Sequence, residues 1–228
     1  MGLDPAQAAA IGATLDAHPA PAGAFAQMLA QRDDGKAKTR AQNRTAQRAG
    51  ARAEAEVDAV CAHYLALGWA DVAHVGPPVQ VTGTDSRGRA VCVVIGLGPC
   101  DYQGVVLGAG PAIAFAGVGV AFEVKRSATA RLRLDDRRGR PTVAPHQRAV
   151  IDRRHAAGCI AGVLVSLTTT GGPAWWWMSA AQWAAIEDGA RAAGRASVGS
   201  ADFNSNGTRC HMLAGGPDWL SAAVGVRG

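Results

Sequence analysis

Asp101, Glu123 and Lys125 are the residues whose types and spacing could do chemistry together. "GPCDYQG" (98–104) sets an aspartate among turn-forming residues, and twenty-two positions after it "FEVK" (122–125) closes a long apolar run. In an extended strand side chains alternate faces, so Glu123 and Lys125 point one way while Phe122 and Val124 point into the opposite layer. If the segment carrying Asp101 pairs with that strand, two carboxylates meet. Two close carboxylates repel unless a cation lies between them, and hard oxygen ligands select Mg²⁺, with Mn²⁺ as a substitute. Lys125 would orient and deprotonate a water or stabilise charge on an attacked phosphate. Such a set is equipped to hydrolyse a phosphodiester in line. A turn aspartate beside an exposed strand ion pair would use the same residue types and do none of this. Strand pairing decides between the two.

Two helices must supply the rest. A helix over about 51–67 has Val57, Cys61, Tyr64 and Leu65 on one stripe, with Gly68 closing it. Glu54 precedes Val57 and Cys61 by three and seven, so it shares their face and points at the sheet, whereas Glu56 does not. Pro145 opens a second helix, "PHQRAVIDRRHAAG". Gln147 stands three and four before Val150 and Ile151 and faces inward, where its amide could hold the water or the phosphate.

The remaining pattern predicts an α/β domain with one mixed central sheet flanked by helices. "VQVTGTDSRGRAVCVVIGL" reads as a hairpin around a Thr84–Gly88 turn. "GVVLG" and "AIAFAGVGVAFEVK" continue the sheet with a turn at Gly108 to Pro111, and the Arg-rich stretch 126–144 reads as a loop. "CIAGVLVSL" and "AWWWM" are buried strands. The three adjacent tryptophans are placed alternately in the core and under the last helix rather than as a platform for bases. Ser179 can cap a helix from Ala180 to Ala193. The tail from Ser197 is Gly-rich and polar until "PDWLSAAV". Residues 1–42 read as a short Ala-rich helix and a flexible basic arm, and 43–228 as the main domain.

Composition bounds the partners. The chain has 228 residues, a net charge of +5 and a pI near 9.3. Seven basic residues face two acids between Gln31 and Arg52, and nine arginines face three aspartates between Arg126 and Arg154. That imbalance favours a polyanion. Candidate phosphate contacts are Arg44 and Arg48 in the arm and Arg126, Arg131, Arg133, Arg137 and Arg138 in the loop. Glycines and Pro111 interrupt the apolar stretch 105–124 before it reaches the roughly 18 residues of a membrane span. Five widely spaced cysteines form no C-x-x-C pair and read as reduced core thiols, so a cytoplasmic protein without a membrane partner is expected.

The D-x₂₁-E-x-K arrangement resembles the PD-(D/E)xK nucleases, and its flanks are similar to the RecU-type Holliday junction resolvases. The matching pieces are "NRTAQRAGARAE", "HYLALGWADVAHVGPPVQV", "CDYQG", "FEVK", "HQRAVIDRRHAAGCIAGVLVSL" and "WWWM" followed by "SAAQW", in family order over roughly 42–185. The resemblance implies a restriction-endonuclease-like core and a homodimeric, Mg²⁺-dependent enzyme that nicks a four-way DNA junction symmetrically, in the cytoplasm of a host if encoded by a phage. Asp101, Glu123 and Lys125 would be its catalytic core, Asp101 and Glu123 its metal ligands, Glu54 the helix acid and Gln147 the helix amide. Three features depart from the family. Cys100 stands where it commonly has threonine, the span from Asp101 to Glu123 carries a Gly-rich insertion, and the hairpin before "CDYQG" is shorter and less basic than its junction-penetrating stalk. General or repair-type endonuclease activity on duplex or flapped DNA, and a non-catalytic DNA-binding module, are the competing readings.

Overall fold

The computed structural model describes residues 50–96, 98–136 and 138–225. The first element, α1 (50–66), buries Ala53, Val57, Val60, Cys61 and Tyr64, the one-sided stripe that its sequence period requires. Leu65, expected on that stripe, is instead 52% exposed, because it falls just past the edge of the buried face. Gly68 ends the helix at a positive φ of 68°.

From there the chain builds β1 (Ala70–His74), the hairpin β2 (Val79–Thr84) and β3 (Ala90–Val94), then β4 (Tyr102–Val106) and β5 (Gly119–Ser127). It continues through β6 (Arg131–Arg133), α2 (Pro145–Ala156), β7 (Ile160–Thr169), β8 (Gly172–Ser179) and α3 (Ala180–Ala192). The last elements are β9 (Ser197–Gly199), α4 (Ser200–Asn206), β10 (Thr208–Arg209), β11 (Met212–Leu213), β12 (Gly216–Pro217) and α5 (Trp219–Ala223).

Six strands make one mixed sheet in the order β1-β4-β5-β7-β8-β10, as the sequence pattern predicts. Only β5 and β7 run parallel; β1 with β4, β4 with β5, β7 with β8 and β8 with β10 are antiparallel. A parallel pair needs a crossover, and α2 is part of it. The first residues of α2 are therefore brought back over the sheet.

Strand alternation sorts the core into two layers. Phe122, Val124, Leu164, Trp175 and Trp177 face α1 and α5, while Ala121, Val163, Val165, Trp176 and Met178 face α2, α3 and α4. The tryptophan run is thus split between layers as expected. Trp177 packs near Phe122 and Trp219, and Trp176 packs near Phe203 while its indole N–H donates to Asn204 Oδ1 at 2.8 Å. Ser179 caps α3, accepting from Gln182 N at 3.3 Å.

Four expectations need correction. Residues 110–115 form a 3₁₀ turn rather than strand, because Gly108 and Gly110 take positive φ and Pro111 has no N–H for a ladder. The Arg-rich segment is not all loop, since Arg131–Arg133 pairs antiparallel with Ser197–Gly199. The polar tail also contains structure: β10 extends the main sheet, and α4 buries Phe203. Of the five free cysteines, Cys61, Cys100 and Cys210 are buried, but Cys92 is exposed on the hairpin. No helix among the described residues is long and apolar enough to cross a membrane.

Candidate active site

The register of β4 on β5 assembles the site. Tyr102 lies opposite Phe122, which puts Asp101, immediately before β4, beside Glu123. Asp101 N donates to Glu123 Oε2 at 3.2 Å, and Val124 N donates to Asp101 Oδ2 at 2.9 Å. Each carboxylate is thereby fixed by the other strand's backbone. Gly104, three residues on, allows β1 to close against β4; a Cβ there would stand 1.9 Å from Asp71 O.

Lys125 leaves β5 on the same face as Glu123, and its Nζ is 2.5 Å from Glu123 Oε1. Gln147 arrives from α2 and donates through Nε2 to that oxygen, also at 2.5 Å. Its other amide atom, Oε1, accepts from Ala144 N at 3.0 Å, which sets the amide's orientation at the helix start. Four of the five residues assigned from sequence to catalysis, Asp101, Glu123, Lys125 and Gln147, are brought together.

Glu123 is fully buried, with its side chain only 1% exposed, whereas that of Lys125 is 20% exposed. Burial pushes the Glu123 carboxyl up to about 7; Lys125 opposes that rise and the neighbouring Asp101 adds to it. Three protein donors favour the ionised carboxylate, but they do not outweigh burial and a like charge. A divalent cation between Asp101 and Glu123 would. The donor set fits a hard ion: two carboxylates, with Asp101 Oδ1 without a hydrogen-bond partner among the described residues. No group of three or more His, Cys, Asp or Glu side chains occurs there, so the remaining ligands would be water and substrate, the usual habit of Mg²⁺.

Glu54 is placed differently. It is half-buried on α1, which packs on the other face of the sheet from α2, and its carboxylate has no hydrogen-bond partner among the described residues. Its backbone carbonyl accepts from Tyr102 Oη at 3.0 Å. It is Glu56 whose carboxylate meets the β5 strand, 3.5 Å from Arg126 Nη1.

The arginines divide in the same way. Arg126 has a side chain only 9% exposed and is held by Glu56, so it does not stand free on the surface. Arg131 is exposed but bonded through Nε and Nη2 to Ser197 Oγ and O, both at 2.9 Å, and Arg133 donates to Asp135 O at 3.2 Å. Arg138 is exposed. Arg44, Arg48 and Arg137 lie outside the described residues, as does the segment 1–42 read as an arm.

Cys100 is buried, and its Sγ donates to Tyr102 O at 3.2 Å. Burial raises its thiol pKa, so it sits there as a neutral packing group. Beside it opens a cleft of about 210 Å³ that Asp101, Gln147, His74 and His146 line. Sequence placed His146 only at a helix start and gave His74 no role; no local pattern links two histidines 72 positions apart in the chain.

No protein-family model matches the chain, and no curated protein matches it. Among solved structures it is similar to Hjc of Archaeoglobus fulgidus, described as a Holliday junction resolvase from an archaeal hyperthermophile. The two are 15% identical with a TM-score of 0.32, over 65% of this chain and 88% of that one.

Proposed function

We propose that the protein is a metal-dependent endodeoxyribonuclease that acts on branched DNA, with the four-way junction as its preferred substrate. One observation carries the chemistry: the β4–β5 register that sets Asp101 against a fully buried Glu123, with Lys125 and Gln147 on the same Glu123 oxygen. Asp101 and Glu123 would hold Mg²⁺ or Mn²⁺, which polarises the phosphate and lowers the pKa of a bound water. Lys125 is the side chain of the set with solvent access to spare, and would stabilise charge on the attacked phosphate. Gln147 positions Glu123 and shields it from solvent. Junction preference, the homodimer and a cytoplasmic setting rest on the resemblance to RecU-type resolvases over residues 42–185. A two-fold dimer would supply two identical sites for two symmetric nicks.

A general or repair-type endonuclease is the second reading, favoured by the hairpin. Every residue of β2 and β3 is exposed and the pair is rich in valine, where a junction-penetrating stalk would be expected to carry cations. Labelled four-way, flapped and linear DNA, incubated with Mg²⁺ or with EDTA, separates the readings. The junction should be cut fastest, and only with metal. Linear duplex cut equally fast selects the second reading. Cleavage by Asp101→Asn or Glu123→Gln at the wild-type rate removes the site assignment, and binding without cleavage by the wild type leaves a non-catalytic module.

A further inference from the structure

The cleft beside Asp101 contains two imidazoles that the chemistry above leaves unused. One side is the linker from β1 to the hairpin, His74 to Pro77, and another is the start of α2 at His146 and Gln147. Its volume, about 210 Å³, falls short of the roughly 300–1,000 Å³ of sites that enclose a whole small molecule. A phosphodiester-sized group suits it better than a nucleoside.

Its walls are held. The His74 ring lies 5.3 Å from the ring of Tyr102, whose hydroxyl donates to Glu54 O and to Asp58 Oδ1 at 3.0 and 2.8 Å. An exposed imidazole is thus steadied by a buried aromatic. Val75 N donates to Asp101 O at 2.7 Å, so the linker is tied to the backbone of the catalytic aspartate. His146 is half-buried between Pro145 and Gln147, on the opposite wall. An imidazole offers an N–H donor whether neutral or charged. Asp101 is the sole acid lining the cleft among the described residues, so no other carboxylate repels an anion there.

We propose that this cleft seats the phosphodiester next to the one that is cut, with His74 and His146 as its hydrogen-bond donors. This rests on the nuclease reading. The scissile phosphate must meet Asp101, Glu123 and Lys125; Asp101 also lines the cleft, so the strand leaving the cut passes directly between the two imidazoles. The contact reads backbone and fixes register rather than base sequence. DNA whose strand ends at the cut lacks this phosphate and is a poor substrate.

The test is a chemical cycle. A single neutral methylphosphonate is placed at the phosphate on one or the other side of the cut, and wild type is compared with His74→Ala/His146→Ala in single-turnover cleavage. At one of the two positions the methylphosphonate should raise the wild-type KM about tenfold or more, the scale of a lost charge-assisted hydrogen bond. The double variant should lose a similar factor on unmodified DNA, and the two losses should not add. Glutamine at both positions, which keeps an N–H donor, should recover part of the loss, whereas a fold defect would not be recovered. Additive losses at both positions, or an unchanged KM in the double variant, overturn the proposal. Failure of the wild type to cut any DNA sinks the nuclease reading alone, because the same cycle read as DNA affinity in EDTA still judges the phosphate seat.

Discussion

Replacing Glu123 by glutamine should make the metal-free protein more stable at neutral and alkaline pH while destroying its activity. The ordinary value for this carboxyl is 4.5, and burial raises it to about 7 in the folded chain. The folded state therefore holds its proton more tightly than the unfolded one. The resulting stability is fully present below pH 4.5, declines as pH rises and is lost above about 7. With 1.36 kcal/mol per pKa unit, the difference corresponds to about 3 kcal/mol. Glutamine is isosteric, keeps an oxygen for Lys125 and Gln147 to donate to, and does not titrate. Urea denaturation in EDTA, from pH 5 to pH 8, should show wild type losing stability relative to Glu123→Gln by an amount of that order. In a melt the gap at pH 8 should approach ~6–12 °C for a chain of this size. Mg²⁺ should then close the gap by stabilising wild type and not the variant, since it binds only where both carboxylates are present. A pH-independent difference between the two proteins, or one that shrinks with rising pH, would refute the burial argument.

Three further outcomes are expected. Cys100→Thr should leave activity and melting temperature close to wild type, because a hydroxyl can replace the thiol as donor to Tyr102 O; a dead enzyme in a cleavage assay would show that the thiol is required. Gly104→Ala should lose more than about 2 kcal/mol in denaturant titration, since its Cβ would meet the backbone of Asp71 and Val72 rather than a movable side chain, and a wild-type midpoint would contradict that packing. DNA affinity should fall steeply with salt, each phosphate neutralised adding about −0.9 to the log–log slope, and deleting residues 1–42 should flatten it; filter binding at several salt concentrations reads both, and an unchanged slope would make that segment a passive linker.

The site was legible in the sequence wherever local periodicity alone fixes direction. Glu123 and Lys125 share a face because strands repeat every two residues, and Gln147 faces inward because Pro145 starts a helix whose period carries it to Val150 and Ile151. Partners were less legible than faces. A helical wheel puts Glu54 toward the sheet, but it cannot reveal that α1 lies on the other layer from Gln147, nor that Arg126 turns inward to meet Glu56. Pairings distant in sequence left no local trace: Arg131 finds Ser197 sixty-six residues away, so β6 looked like loop. Ile113 and Phe115 mimicked strand residues, yet both remain exposed on the 3₁₀ turn that the flanking glycines impose.

The last short helix makes this core a late event in the life of each molecule. Tyr64 on α1 donates to Asp218 at 2.5 Å, across 154 residues of chain, and Trp219 packs against both Tyr64 and Phe122. Phe122 stacks in turn on Tyr102, so α5 backs the two strands that carry Asp101 and Glu123. During synthesis α1 and the first five strands leave the ribosome long before their covering residues exist, and closing so distant a contact is slow. The nascent chain must hold its aromatic face exposed until Trp219 arrives. Until then the backing behind the carboxylate pair is incomplete, and the catalytic geometry is among the last features to become rigid.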